Sequence, residues 1–124
     1  MEYKSPQPLS GKAARAIIFD ERSTDSERSS ALVSAVYYVE DETFVAEIFE
    51  EALQSKCDPL VNSAVLVLDT FVRMRKSLAR QRTIKEILSK LYSEREDLHH
   101  DIDDVLDGYE MANEFHTNAD SEPK

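Results

Sequence analysis

Apolar residues recur at alternating spacings of four and three along the second half of the chain, and this period limits the possible folds more than any other feature. The repeat begins with Leu60, Ala64, Val67, Phe71, Met74 and Leu78. Such spacing places apolar side chains along one side of a helix and predicts a packing seam. The 124 residues include only two glycines and four prolines, too few for the many corners of an all-β fold. We predict nearly continuous helix from Asp58 to Phe115 and leave the number of breaks open.

Capping signals divide the first half of the chain into shorter helices. Thr24 and Glu27 form a capping-box pattern, and Asp41 is suited to cap the helix that follows it. The segment from Gly11 to Phe19 forms either a short helix or a stretch that docks on the core. The run from Val36 to Val39 has strand propensity, but we favour helix because a cap rather than turn residues precedes it.

Similar signals mark helix boundaries in the second half. Asp58 followed by Pro59 predicts a helix start, with a carboxylate at the N-cap and a proline at the first helical position. Gly108 can kink or end the last helix. Two further capping-box patterns, which indicate breaks near them, are Thr83 with Glu86 and Ser93 with Glu96.

Length and composition predict a single domain. A chain of 124 residues with 41% hydrophobic residues can bury one core but not two. We therefore predict an all-α, single-domain bundle of four to six mostly antiparallel helices over residues 11–116. Residues 1–10 are expected to form a flexible arm, and residues 117–124 a flexible polar tail.

The cysteine count and the hydropathy pattern indicate a compartment. Cys57 is the only cysteine, so the chain cannot form an intramolecular disulfide. Its neighbours Lys56 and Asp58 nearly cancel in charge, and nothing in the sequence indicates an activated thiol. No apolar run reaches membrane-spanning length, and the N-terminus lacks an apolar signal core. We expect a cytoplasmic protein with no membrane partner.

The charge of the chain is strongly acidic overall and changes sign along its second half. The formal net charge is −10, which either serves solubility or indicates a surface that binds a basic partner. Nucleic acid is an unlikely partner except through the basic segment from Arg73 to Lys90. That segment either binds phosphate or pairs with this protein's own acidic helix, which follows it in the chain, within or between subunits. Its candidate interaction residues are Arg73, Arg75, Lys76, Arg80, Arg82 and Lys85.

Arg95 and His100 form the first candidate catalytic pair. Arginine can hold a phosphate, and histidine can move a proton during attack by a ribose 2′-hydroxyl. The alternative is that both lie on a solvated face among carboxylates.

The Arg-x4-His spacing of this pair resembles the signature of HEPN domains, all-α modules that are often RNases. Three segments also resemble the mannitol operon repressor (MtlR) branch of that group: Glu27–Val33, Asp58–Leu60 and Arg95–Asp101. The resemblance implies that Arg95 and His100 are the catalytic pair of an RNase or of a toxin–antitoxin component. Glu96 stands where active members usually carry a polar residue such as asparagine, and its charge would repel RNA. An MtlR-like member would instead act by binding other proteins.

Two pairs of carboxylates form a candidate metal site. Glu47 and Glu50 are one helical turn apart, as are Asp101 and Asp104, and two such pairs on neighbouring helices can hold Mg²⁺. The pattern resembles all-α nucleotide pyrophosphohydrolases of the MazG type. It departs from that family in having Asp101 in place of glutamate and a longer gap between the motifs. The alternative is that all four acids lie on solvated faces.

The function that these observations favour is a non-enzymatic regulatory or protein-interaction module. It would act through protein contacts, for example as a transcription-related regulator, and would bind a protein partner, itself as a homodimer, or both. We expect no cofactor. The RNase and the pyrophosphohydrolase remain the alternatives.

Overall fold

The computed structural model describes residues 9–120, and the side chains of residues 9–116. This part of the chain contains six α-helices and no strand. The helices are α1 (Gly11–Ile18), α2 (Asp25–Tyr38), α3 (Glu42–Leu53), α4 (Asp58–Arg75), α5 (Gln81–Glu94) and α6 (His99–Asp120). One turn of 3-10 helix, Glu96–Leu98, lies between α5 and α6. The predicted all-α class is confirmed, and the strand alternative for residues 36–39 is wrong.

The helix starts in the first half follow their local capping residues. The Thr24 hydroxyl accepts from the Glu27 amide at 3.1 Å, and the Glu27 carboxylate accepts from the Thr24 amide at 2.7 Å. Asp41 accepts from the Phe44 amide at 3.1 Å and so caps α3. Each of these bonds satisfies an amide that the helix itself leaves without a partner.

The predicted continuous helix from residue 58 onward is interrupted twice, between α4 and α5 and between α5 and α6. Lys76 and Arg80 border the first interruption in left-handed conformations, with φ of 53° and 50°. Thr83 lies inside α5 and does not cap it, because Arg80 occupies the position before the helix. The Ser93 hydroxyl donates back to the Lys90 carbonyl at 2.8 Å, so the second capping box does not form either. The breaks predicted near both patterns are nevertheless confirmed.

Three boundaries differ from the prediction by a few residues. Helix α4 includes Asp58 as its first residue, and Cys57 is the residue before it. Gly108 neither ends nor interrupts α6, which continues to Asp120 and so enters the predicted tail. Leu9, in the predicted arm, packs against the core. The rest of the predicted arm and tail, residues 1–8 and 121–124, lies outside the described part of the chain.

The helices form two layers, with α1, α3 and α5 in one and α2, α4 and α6 in the other. Within the second layer the helices run parallel. Ser29 and Ser63 meet near the starts of α2 and α4 at 2.7 Å, and Arg75 at the end of α4 donates to the Val36 carbonyl near the end of α2. Consecutive helices are antiparallel, so the domain consists of three helical hairpins placed side by side.

Helix α4 lies in the middle of its layer and is covered on three sides, by α2, α3 and α6. It therefore buries two rows of side chains: Leu60, Ala64 and Phe71 in one, and Val61, Val65, Leu68 and Val72 in the other. The Phe71 ring stacks on Phe49 of α3 at 5.7 Å. The predicted seam covers only the first row, and Met74 within it is 44% exposed.

None of the described helices has both the length and the apolar composition needed to cross a membrane.

Candidate interaction surface

Arg95, the first residue of the candidate catalytic pair, connects three parts of the fold. It follows α5, and its guanidinium donates to Asp97 at 2.9 and 3.0 Å, to Asn62 at 2.9 Å and to Asp58 at 3.2 Å. The hydrogen bond that the Asp97 carboxylate accepts is the main reason why the pKa of Arg95 is raised. In return, Arg95 lowers the pKa of the Asp97 carboxyl. Side-chain oxygens of this protein therefore accept the hydrogen bonds that Arg95 would otherwise donate to a phosphate.

His100 points away from that network. Its side chain is 88% exposed, and its nearest charged neighbour is Asp104 at 3.7 Å. Among the described residues, no hydrogen bond or ion pair joins it to Arg95. The adjacent His99 stacks on Tyr92 at 3.8 Å between ring centroids, and its Nε2 lies 2.6 Å from the Tyr92 carbonyl oxygen. The structure does not bring Arg95 and His100 together, and their nuclease role stays a prediction.

Only the first of the two acidic pairs is engaged by a described cation of this chain. Glu50 pairs with the Arg80 guanidinium, with one contact at 3.1 Å, and Glu47 lies 3.9 Å from it. Asp104 faces His100, and Asp101 has no ion pair in the described region. Within residues 9–116, no group of three or more acidic, histidine or cysteine side chains is placed to hold a metal ion. The described side chains therefore provide no support for the Mg²⁺ prediction.

The basic segment divides into arginines that pair internally and residues that do not. Arg73 donates to Asp69 at 2.7 Å and lies 3.5 Å from Asp107, while Arg75, only 15% exposed, lies 3.9 Å from Glu42. Arg80 is held by Glu50. Three members form no ion pair with a described acid: Lys76, Arg82 and Lys85. Half of the predicted interaction residues thus form ion pairs within the fold. Arg73 reaches Asp107 of the acidic helix, as the intramolecular alternative predicts. Arg75 and Arg80 instead pair with acids of α3.

A small cleft of about 260 Å³ forms where the α1–α2 loop meets the start of α4. In it, Arg28 of α2 donates to the Cys57 sulfur at 3.3 Å and to the Asp20 carbonyl at 2.9 Å. The sequence carries no signal of this contact, since Arg28 and Cys57 are 29 positions apart. Because Arg28 joins the α1–α2 loop to the residue before α4, we assign it a structural role.

Among the described residues, the large apolar side chains that are exposed occur on one layer of the bundle only. Six large hydrophobic residues among those described are between 44% and 56% exposed, and all belong to α2, α4 or α6: Tyr37, Tyr38, Leu66, Met74, Met111 and Phe115. The layer formed by α1, α3 and α5 has none in the described region. A random scatter of exposed apolar residues is normal on soluble proteins, whereas a one-sided collection indicates an interaction site.

Five of these residues form what we call the apolar face: Tyr37, Leu66, Met74, Met111 and Phe115. Tyr37 and Leu66 line one cleft of about 220 Å³ between α2 and α4, together with Val33, Val36, Val67 and Thr70. Met74 lies two turns after Leu66 on α4.

The α6 part of the apolar face lies against the same helix. The Met111 sulfur is 3.5 Å from the Arg73 guanidinium of α4. Phe115 follows one turn later and touches the ring of His116, whose Nε2 is 2.8 Å from the Lys76 carbonyl oxygen after the end of α4. The apolar face therefore extends from the α2–α4 cleft across α4 to the second half of α6.

A row of acids borders the apolar face on α6. We call it the acidic stripe: Asp103, Asp107, Glu110 and Glu114. Spacings of four, three and four place these side chains along one side of the helix, and all four residues are exposed. Of these only Asp107 pairs with a described cation, through its 3.5 Å contact with Arg73.

Comparison with known proteins adds no assignment. No model of a protein family, no curated protein and no solved structure significantly matches the chain. The resemblance to HEPN and MtlR-like proteins therefore remains a prediction, and functional arguments depend on the surface itself.

Sequence reasoning missed the apolar face. Leu66 lies outside the packing seam that the apolar spacing predicts, and the same spacing predicts that Met74 is buried. The only available signal was a surplus: α4 carries more apolar residues than a single seam needs. The acidic stripe, by contrast, is visible in the sequence as a run of carboxylates at helical spacing.

Proposed function

We propose that this chain is a non-enzymatic protein-interaction module, which binds a protein segment through the apolar face. The main support is that every large hydrophobic side chain left more than two-fifths exposed, among those described, lies on the α2–α4–α6 layer. A regulatory role would act through this contact.

The apolar face contributes little to the stability of the chain itself, and this also supports the proposal. Leu66 is 56% exposed, whereas Leu68, two residues later on the same helix, is fully buried. Water contact at Leu66 is unfavourable compared with burial, by about 25 cal/mol for each Å² of apolar surface. Covering the face with a partner would recover that free energy.

A set of three peptides tests the proposal. Each is an amphipathic helix of about 18 residues with the same leucine-rich side, and the polar side is basic, neutral or acidic. We expect at least one labelled peptide to bind in fluorescence anisotropy. We also expect Leu66→Ser to weaken that binding about tenfold or more, because it removes a central apolar anchor.

Two controls make the result decisive. Thermal unfolding of Leu66→Ser should match that of the wild type within about 0.5 kcal/mol, because exposed positions contribute little to stability. Sedimentation velocity of the chain alone tests the homodimer, which would also be weakened by Leu66→Ser if it used this face. The proposal fails if no peptide binds and the chain stays monomeric, or if association does not depend on Leu66.

A further inference from the structure

We propose that the partner of the apolar face is an amphipathic helix with basic residues along one border, which lie over the acidic stripe. This inference depends on the proposed function and specifies the chemistry of its partner. It combines two observations: the apolar face ends on α6 at Met111 and Phe115, and the acidic stripe begins on the same helix beside them.

The acidic stripe is largely free to meet an external cation. Asp103, Glu110 and Glu114 form no ion pair within the described part of the chain, although Arg73, Arg75, Arg80 and Arg95 all pair with other acids. The Asp107 side chain is 63% exposed, and its Arg73 contact is long at 3.5 Å. The carboxylates of four exposed acids on one side of a helix repel one another, and a basic partner would relieve that repulsion.

The dimensions of the apolar face suit a helix. Leu66, Thr70 and Met74 follow one another by single turns and extend along about 12 Å of α4. A helical partner presents apolar anchors at matching spacings of three and four, with charged residues along the border. A partner that binds as an added β-strand would instead need a free strand edge, and residues 9–120 contain no strand.

A second copy of this chain fits the surface less well than a basic partner. A two-fold dimer through the apolar face would bring together two copies of the same surface, each bordered by an acidic stripe and neither by a basic one. Each copy also carries the net charge of −10, and like charges facing each other oppose association. Of the three candidate interaction residues that form no ion pair with a described acid, Arg82 and Lys85 lie on α5 in the opposite layer, and Lys76 alone lies beside the apolar face, at the end of α4.

The same three peptides distinguish this inference from the proposed function. We expect the basic peptide to bind at least about tenfold more tightly than the acidic one at low salt. That preference should shrink at about 0.5 M NaCl, since salt screens exposed charges. A fourth peptide keeps the basic composition but has two central prolines that prevent helix formation, and it should bind at least about tenfold more weakly.

Paired charge variants locate the contact on the protein. Glu110→Gln with Glu114→Gln should weaken binding of the basic peptide about fivefold or more and leave the neutral peptide unaffected. Glu86→Gln with Glu94→Gln removes the same charge from exposed positions on α5 and should change neither affinity. Circular dichroism melts of both double variants verify that they fold.

Each contrary result has a distinct meaning. If all peptides bind with equal affinity and all depend on Leu66, the proposed function holds and the basic partner is wrong. Equal weakening by the α5 and α6 double variants would show non-specific charge attraction and overturn the inference. Equal binding of the proline-containing peptide would overturn the helical partner. Self-association that depends on Leu66 and excludes the basic peptide would identify a second copy as the occupant.

Discussion

Tyr109 places a polar atom without a described hydrogen-bond partner in the core. Its ring is fully buried on α6, and its hydroxyl has no hydrogen-bond partner among the described residues. Burial, with a smaller contribution from the charge of Glu50, raises the pKa of this hydroxyl above its ordinary value of 10.0. An unsatisfied buried hydroxyl is unfavourable at any pH, and a buried tyrosinate would be more so.

Replacing Tyr109 with phenylalanine should stabilise the protein. Tyr109→Phe keeps the ring and removes the unpartnered hydroxyl, so the free energy of unfolding should rise by about 1 kcal/mol at neutral pH. The gain should grow above pH 10, because the unfolded wild type then loses a proton that the folded state retains. Below pH 10 the hydroxyl is neutral in both states, and the gain should not depend on pH.

Urea denaturation at neutral pH and at about pH 10.5 measures both effects. Tyr37→Phe is the control, because the Tyr37 side chain is 54% exposed and should show no gain at neutral pH. A destabilised Tyr109→Phe variant would show that the hydroxyl has a partner that the described residues do not include.

At the scale of the helix, capping residues and the turns between helices decide where each helix begins. Thr24 and Thr83 both stand three residues before a glutamate, and the sequence patterns are equivalent. Only Thr24 caps a helix, because the chain before Thr83 already turns at Lys76 and Arg80 and enters α5 at Gln81. Capping patterns therefore predict possible starts, and the packing of neighbouring helices selects among them.

Alanine substitution should separate these two threonines. Thr24→Ala removes both bonds of the capping box and should lower the free energy of unfolding by about 1 kcal/mol. Thr83→Ala removes no described hydrogen bond and replaces a poor helix former with a good one, so it should be neutral or slightly stabilising. Thermal unfolding followed by circular dichroism compares them, and equal losses would contradict the assigned start of α5.

At the scale of the whole molecule, charge is distributed unevenly over the two layers. Arginines link the elements internally, at Arg15–Glu51, Arg75–Glu42, Arg80–Glu50 and Arg95–Asp58. The remaining excess of acid, within a net charge of −10, is exposed in part as the acidic stripe. Repulsion among these exposed carboxylates lowers the stability of the compact state. Under the proposed function, this loss of stability is the cost of a charged binding surface.

Neutralising part of the acidic stripe should stabilise the free protein. Glu110→Gln with Glu114→Gln removes two like-charge contacts between neighbouring turns, which together should raise the free energy of unfolding by about 0.5–1 kcal/mol at low salt. The gain should diminish at about 1 M NaCl. Glu86→Gln with Glu94→Gln should give no gain, because Arg82 and Lys90 each lie one turn from Glu86. A loss of stability in the α6 variant would contradict this account.

The candidate sites show why chemistry is harder to predict here than fold. Arg95 and His100 are five positions apart, yet the intervening 3-10 turn directs Arg95 towards α4 and leaves His100 in solvent. Arg73 and Arg80 read equally well as phosphate ligands or as internal pairs. Arg73 pairs with Asp69 four positions away, but its second partner Asp107 is 34 positions distant. Glu50, the partner of Arg80, is 30 positions distant. Contacts at such separations leave no periodic signal in one sequence.

The sequence by itself determined what depends on a few neighbouring residues: the helical period, the scarcity of glycine and proline, and the caps at Thr24 and Asp41. These features act within one or two turns, so they operate in any context. Only the tertiary structure decided that Leu68 is buried and Leu66 exposed. The two residues are chemically identical and share one helix, and they differ only in which neighbouring helices cover them.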